Sequence, residues 1–103
     1  MIVTTTAIVE GSPVRQYIGV ATGEVIMAAN VGRDIMASFR DIVGGRSKAY
    51  ETKLKEARDE AFKEMSQQAS QMGANAIIGV DINYEVVRQG MLMVAVSGTA
   101  VII

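Results

Sequence analysis

The amino-acid sequence predicts a single α+β domain over residues 1–103, with the element order ββααββ and an antiparallel sheet that carries its helices on one face. Three observations support this fold class. Extended runs occupy the first third of the chain, two stretches with helical spacing occupy the middle, and two alternating runs separated by a short turn end it.

The first third of the chain predicts two strands. Residues 2–6 are all β-branched, a turn-forming stretch with the letters EGSP follows, and residues 14–27 alternate as a second strand. In the second strand Gly19, Ala21 and Gly23 lie on one face. Small residues there allow another backbone to approach closely.

The middle of the chain predicts two helices. Asn30 is the expected N-cap of the first, and Gly44-Gly45 ends it. Its apolar residues at helical spacing are Ile35, Met36, Phe39, Ile42 and Val43. The second helix spans residues 47–72, with Gly73 as its C-terminal cap. Its apolar stripe consists of Tyr50, Leu54, Ala57, Ala61, Met65, Ala69 and Met72. Its opposite face, with Glu51 near Lys55 and Asp59 near Lys63, is interpreted as solvated.

The last third predicts a hairpin of residues 76–87 and 91–103. In its first strand apolar residues alternate with small or polar ones: Ile78, Val80, Ile82, Tyr84 and Val86 against Gly79, Asp81, Asn83 and Glu85. In its second strand both faces are apolar, with Leu92, Val94 and Val96 opposite Met93, Ala95 and Val101. Helices cover one face, so we expect neighbouring subunits to cover the other.

Composition predicts a homo-oligomer. Half of the residues are hydrophobic and 20% are charged, which is more apolar surface than one small domain buries. The longest uncharged stretch, residues 89–103, is shorter than the roughly 20 residues that span a bilayer as a helix. The first residues lack a basic segment ahead of an apolar one. We therefore expect no membrane contact and a cytoplasmic location.

The chain contains neither cysteine nor histidine. Disulfides, thiol nucleophiles, imidazole bases and zinc sites built from Cys and His are therefore excluded. The net charge of −1 lacks the basic footprint of a nucleic-acid-binding protein.

Several sequence blocks are similar to those of the YbjQ-like family of small bacterial proteins. They are residues 33–35 (RDI), 40–47 (RDIVGGRS), 50–51 (YE), 73–81 (GANAIIGVD), 84–85 (YE) and 91–101 (MLMVAVSGTAV). The resemblance covers nearly the whole chain. It implies a dodecin-subunit-like fold assembled into a ring, a pentamer, and the label "putative heavy-metal binding" without an assigned reaction.

The polar face of the first hairpin strand is a candidate metal site. Asp81, Asn83 and Glu85 share this face, but residues four apart on a strand are about 13 Å apart, and ligands lie about 2.0–2.6 Å from their ion. Ligands would have to converge from symmetry-related copies or from another segment; a solvated or inter-subunit polar face is the alternative. Oxygen ligands favour Mg²⁺, Ca²⁺ or Mn²⁺, since soft ions would have only methionine, such as Met91 and Met93.

The start of the long helix is a candidate anion site. Its residues are Arg33, Arg40, Gly44, Gly45, Arg46 and Ser47. Free N–H groups at a helix N-terminus attract phosphate or carboxylate, and a spacing of seven places Arg33 and Arg40 on one helical face. The alternative is that the glycines turn the chain and that the arginines pair with Asp34, Asp41 or a neighbouring subunit.

Three functions remain open from the sequence. The first is a non-enzymatic homo-oligomeric binding protein for a small anion or a divalent ion. The second is an enzyme with its site at subunit interfaces, with an arginine as electrostatic stabiliser. Its candidate general bases are Asp34, Asp41, Asp81 and Glu85. The third is a structural or regulatory ring that binds another protein.

Overall fold

The structure, a computed structural model, describes residues 1–27, 48–88 and 91–103. Its elements are strand β1 (Ile2–Val3), strand β2 (Gln16–Met27), helix α1 (Lys48–Gln71), strand β3 (Ala76–Arg88) and strand β4 (Met91–Ile102). The predicted strands, long helix and hairpin are confirmed, although β1 is much shorter than predicted. The predicted first helix, from Asn30 to Gly44-Gly45, lies outside the described residues, and so do Gln89 and Gly90 of the predicted turn. The order ββααββ therefore stays a prediction.

The four strands form one mixed sheet in the order β1-β3-β4-β2. β4 lies in the middle and is antiparallel to both β2 and β3, whereas β1 is parallel to β3. The prediction of a wholly antiparallel sheet was therefore wrong. A parallel pair needs a long connection, and most of the chain, including α1, separates β1 from β3.

Helix α1 packs on one face of the sheet through the predicted apolar stripe. Ala57, Ala61, Met65 and Ala69 are buried, and Leu54 and Met72 are half-buried against the same cluster. From the sheet this cluster includes Ala21, Val94 and Val96. Because the stripe is mostly alanine, α1 lies close to β2, as the small residues of that strand predicted.

Gly73 ends α1 as predicted. Its φ of 92° lies in the left-handed region, and the Ala74 N–H donates to the Ala69 carbonyl oxygen at 3.0 Å. Asn75 lies directly before β3, and its N–H donates to the Val101 carbonyl oxygen at 3.0 Å. The chain therefore passes directly from the helix into the sheet.

A β-bulge at Gly79 changes the predicted faces of β3. The register against β4 shifts between Ile78 and Asp81, and Gly79 has a φ of 61°. Ile78 and Val80 were predicted to share a face, but they pack into different clusters on opposite faces of the sheet. Strict alternation cannot predict this, because a bulge inserts one residue into the period of two.

The N-terminal segment covers one end of the sheet face opposite α1. The Gly79 N–H donates to the Thr6 carbonyl oxygen at 2.8 Å, and Val9 and Val14 pack against Ile78 and Val101. The predicted outward face of Val101 is thus covered by the same chain. We call the remainder of this sheet face the open face. Its residues are Val20, Thr22, Glu24, Ile26, Asp81, Asn83, Glu85, Met93, Ala95, Ser97 and Thr99.

The side chain of Asn75 holds the end of β4. Its Nδ2 donates to the Ile103 carbonyl oxygen at 3.2 Å, and its Oδ1 accepts from the Ile103 N–H at 2.8 Å. We expect Asn75→Ala to lower the free energy of unfolding by about 1–2 kcal/mol, since each hydrogen bond contributes about 1 kcal/mol. Asn83→Ala, at an exposed amide, should change it by less than about 0.5 kcal/mol. Equal losses in urea titrations would contradict this role of Asn75.

Candidate functional site

The predicted metal residues lie together on the open face. Asp81, Asn83 and Glu85 are exposed along β3, and their partners on β4 are Ser97, Ala95 and Met93 respectively. Asn83 Nδ2 donates to Asp81 Oδ2 at 2.7 Å. This bond joins the two side chains along the strand and engages one oxygen of the Asp81 carboxylate.

Strand β2 adds two oxygen-bearing side chains that sequence reasoning missed. Thr22 pairs with Ser97, and Glu24 pairs with Ala95, so both lie on the open face beside β4. The alternation in β2 that placed Gly19, Ala21 and Gly23 on one face also placed Thr22 and Glu24 on the other. What the sequence did not provide was the register that aligns them with the row on β3.

The open face is rich in oxygen atoms and acidic. Its hydroxyl, amide and carboxylate groups belong to Thr22, Glu24, Asp81, Asn83, Glu85, Ser97 and Thr99. At the far end of β3, Arg88 pairs with Met91, and Arg88 Nε donates to Met91 Sδ at 2.8 Å. The sulfur of Met91 is therefore engaged by a cation, which opposes its use as a soft metal ligand.

A complete metal centre does not form within one copy of the described chain. Across residues 1–27, 48–88 and 91–103, no three carboxylate-bearing residues lie close enough together to hold one ion. Glu24 and Asn83 lie on either side of β4, about 9–10 Å apart at neighbouring-strand spacing. The open face can offer ligands, but additional ones must come from elsewhere.

Arg33, Arg40, Gly44, Gly45, Arg46 and Ser47 lie outside the described residues, and so do the alternative bases Asp34 and Asp41. The anion site therefore stays a prediction.

The solvent side of α1 carries a shallow depression. It is lined by Lys63, Ser66, Gln67, Ser70 and Gln71 and opens widely to solvent. On the same helix Lys53 Nζ lies 3.4 Å from Glu56 Oε2, and both side chains are exposed. Such an exposed ion pair contributes little to stability, which agrees with a solvated helix face. In the described part of the chain, no helix is long and apolar enough to cross a membrane.

Comparison with known proteins decides the family. The whole chain, residues 1–103, matches the family described as "Putative heavy-metal-binding". This chain belongs to the YbjQ-like family. The resemblance predicted from the sequence blocks is thereby confirmed.

Two bacterial proteins and one solved structure are similar to this chain over nearly its full length. A UPF0145 protein of Bacillus cereus is 63% identical over 101 residues, which is 98% of each chain. A UPF0145 protein of Bacillus thuringiensis subsp. konkukian is 62% identical with the same coverage. A crystal structure of a DUF74-family protein of unknown function from Pediococcus pentosaceus has a TM-score of 0.60 at 23% identity, covering 100% of this chain and 97% of the other. This likeness shows a shared fold.

Proposed function

We propose that this protein is a non-enzymatic, cytoplasmic homo-oligomer, a ring of five copies, that binds a small divalent cation through oxygen ligands on the open face. The observation that carries the proposal is the exposed row of Asp81, Asn83 and Glu85, with Glu24 on the same face. The number five is taken from the family resemblance. Binding of an anion through Arg33, Arg40 and the start of the long helix stays a prediction from the sequence.

The ligand set favours a hard cation. Carboxylate, amide and hydroxyl oxygens suit Mg²⁺, Ca²⁺ and Mn²⁺, whereas soft ions prefer thiolate, thioether or imidazole groups. The chain has no cysteine or histidine, and the sulfur of Met91 already accepts a hydrogen bond from Arg88. The heavy-metal description of the family therefore corresponds, in this chain, to a divalent ion that binds oxygen.

The need for more than one copy follows from distance. Asp81 and Glu85 are four residues apart on β3, about 13 Å along an extended strand, whereas both ligands of one ion must lie within about 2.6 Å of it. A second copy supplies further side chains without any change in the strand. The proposed binding activity therefore depends on the proposed oligomer.

The double variant Asp81→Asn/Glu85→Gln tests the cation site. We expect at least a tenfold loss of Mn²⁺ affinity in isothermal titration calorimetry, because the amides keep the shape of the side chains but remove two charges. Glu60→Gln/Glu64→Gln removes the same charge from exposed positions on α1 and should leave the affinity within about twofold.

Two results would contradict the proposal. One is an equal loss of Mn²⁺ affinity in the α1 control, which would indicate nonspecific attraction by net charge. The other is wild-type protein that binds Cd²⁺ and ignores Mn²⁺, Ca²⁺ and Mg²⁺, since that preference would require soft ligands.

A further inference from the structure

The sheet has two strand edges with few partners among the described residues. On the outer edge of β2, the Thr22 N–H is bonded to Gln68 Oε1 at 2.6 Å, and no other backbone partner for this edge lies in the described ranges. On β3, Thr4 and Thr6 bond Ile77, Gly79 and Val80. Residues 81–88 receive no such backbone partner from the described part of the chain.

These edges also carry exposed apolar side chains. Nine large hydrophobic residues are exposed in the described ranges, and six of them lie on β2 and β3: Tyr17, Val20, Ile26, Tyr84, Val86 and Val87. Val20 is 68% exposed and Val86 is 75% exposed, which is high for β-branched residues in strands. The central strand β4 and helix α1 contribute none to this set. Among the described residues, the exposed apolar side chains are therefore concentrated on β2 and β3.

The edge of β2 is protected against pairing at two points only: the Gln68 side chain of α1 accepts from the Thr22 N–H, and the register with β4 shifts between Tyr17 and Gly19. Natural edge strands are also blocked by lysine, proline or shortness. Strand β2 has 12 residues, and from Val20 to Met27 its register with β4 is regular. Its one charged residue is Glu24, and it contains neither lysine nor proline. This edge is suited to accept another strand.

We propose that the outer edge of β2 in one copy pairs with residues 81–88 of β3 in a second copy, so that the sheet continues from copy to copy. The inference rests on the homo-oligomer of the proposed function and names its contact surface. β2 and β3 are both antiparallel to β4, so they run in the same direction. When one copy is rotated onto the next about an axis parallel to the strands, β2 of the first copy lies beside β3 of the second, and the two strands form a parallel pair.

A head-to-tail contact explains both edges at once. A two-fold dimer through β2 alone would leave the edge of β3 in each copy without a strand partner, whereas a contact of β2 with β3 gives both edges a backbone partner in every copy of a closed ring. The pairing also brings Glu24 of one copy to neighbouring-strand distance, about 5 Å, from the Asp81–Glu85 row of the next. Like charges at this distance repel, so a bound divalent cation should strengthen the contact.

Cysteine cross-linking tests the pairing, because the chain has no cysteine of its own. The single variants are Val20→Cys and Ile26→Cys on β2, and Glu85→Cys and Arg88→Cys on β3; all four positions are exposed. Each double variant combines one position on β2 with one on β3. Because the two positions on each strand lie at different heights, the set covers different possible registers between β2 of one copy and β3 of the next. Each is treated with a short bismaleimide, analysed by denaturing electrophoresis and compared with native mass spectra of the untreated protein.

The proposal expects a ladder of linked subunits in at least one double variant, ending at the subunit number from native mass spectrometry, and no linking in the single variants. Dimers from a single β2 variant would overturn it in favour of a two-fold contact. An oligomer in which no double variant links would place the contact elsewhere and leave the oligomer of the proposed function standing. A monomer at micromolar concentration would overturn both proposals.

Discussion

Replacing Gly23 with alanine should lower the free energy of unfolding by about 3 kcal/mol, the upper end of the range for overpacked sites. A Cβ at this position would collide with the Ala61 carbonyl oxygen and lie 2.9 Å from the Ala61 carbonyl carbon and 3.0 Å from the Met65 nitrogen. All three are backbone atoms of α1, so no side-chain rotation relieves the contact. The helix would have to move away from β2, and the buried apolar cluster between α1 and the sheet would then be less closely packed.

A competing effect has the opposite sign but is smaller. Alanine restricts the unfolded chain more than glycine does, which stabilises a protein by about 0.4–1 kcal/mol where the folded conformation tolerates it. Steric overlap with helix backbone costs more than this gain, so Gly23→Ala should be clearly destabilising. Thr22→Ala, at the exposed neighbouring position, should change stability by less than about 0.5 kcal/mol.

A double variant separates backbone overlap from side-chain crowding. Ala61→Gly removes the Ala61 side chain but leaves its carbonyl oxygen in place, so it should not rescue Gly23→Ala, and Gly23→Ala/Ala61→Gly should be at least as unstable as Gly23→Ala alone. Urea titrations followed by far-ultraviolet circular dichroism, at one protein concentration, measure all three variants. Rescue of Gly23→Ala by Ala61→Gly would contradict the close contact between the backbones of β2 and α1.

Local periodicity was sufficient to predict most of the described elements. The stripe Ala57, Ala61, Met65 and Ala69 repeats every four residues, and its burial is what that spacing predicts. The alternation on β4 likewise predicted its two apolar faces. These patterns depend only on backbone geometry within one element, so they can be read from one stretch of sequence.

Features that depend on contacts between distant segments could not be predicted in the same way. The bulge at Gly79 depends on bonds to Thr4 and Thr6 from the other end of the chain, and the parallel pairing of β1 depends on the same crossing. In the candidate metal site, too, one part could be predicted from local sequence and another part depended on contacts between distant segments. The row Asp81, Asn83 and Glu85 followed from alternation, whereas the position of Glu24 beside it required the register of two strands against β4.

Met65→Ala should cost about 3 kcal/mol, within the range of roughly 2–5 kcal/mol for buried Met-to-Ala substitutions. Met65 is the large side chain among the buried alanines of α1, and its exposed fraction is 0%. It belongs to the buried cluster between α1 and the sheet, where the neighbouring α1 side chains are small. Because the backbone of α1 already lies close to Gly23, the helix cannot move inward to close the resulting cavity.

Met72→Ala is the matched control, since it is the same substitution at a half-buried position in the residue after α1. The lost burial is smaller and solvent can fill the gap, so the loss should be smaller than that of Met65→Ala by at least about 1.5 kcal/mol. Urea titration at equal protein concentration measures both variants, and native mass spectra establish that they share one subunit number. Equal losses would mean that the space between α1 and the sheet collapses around the missing side chain. The helix would then not be held at its distance from the sheet by the backbone contact at Gly23.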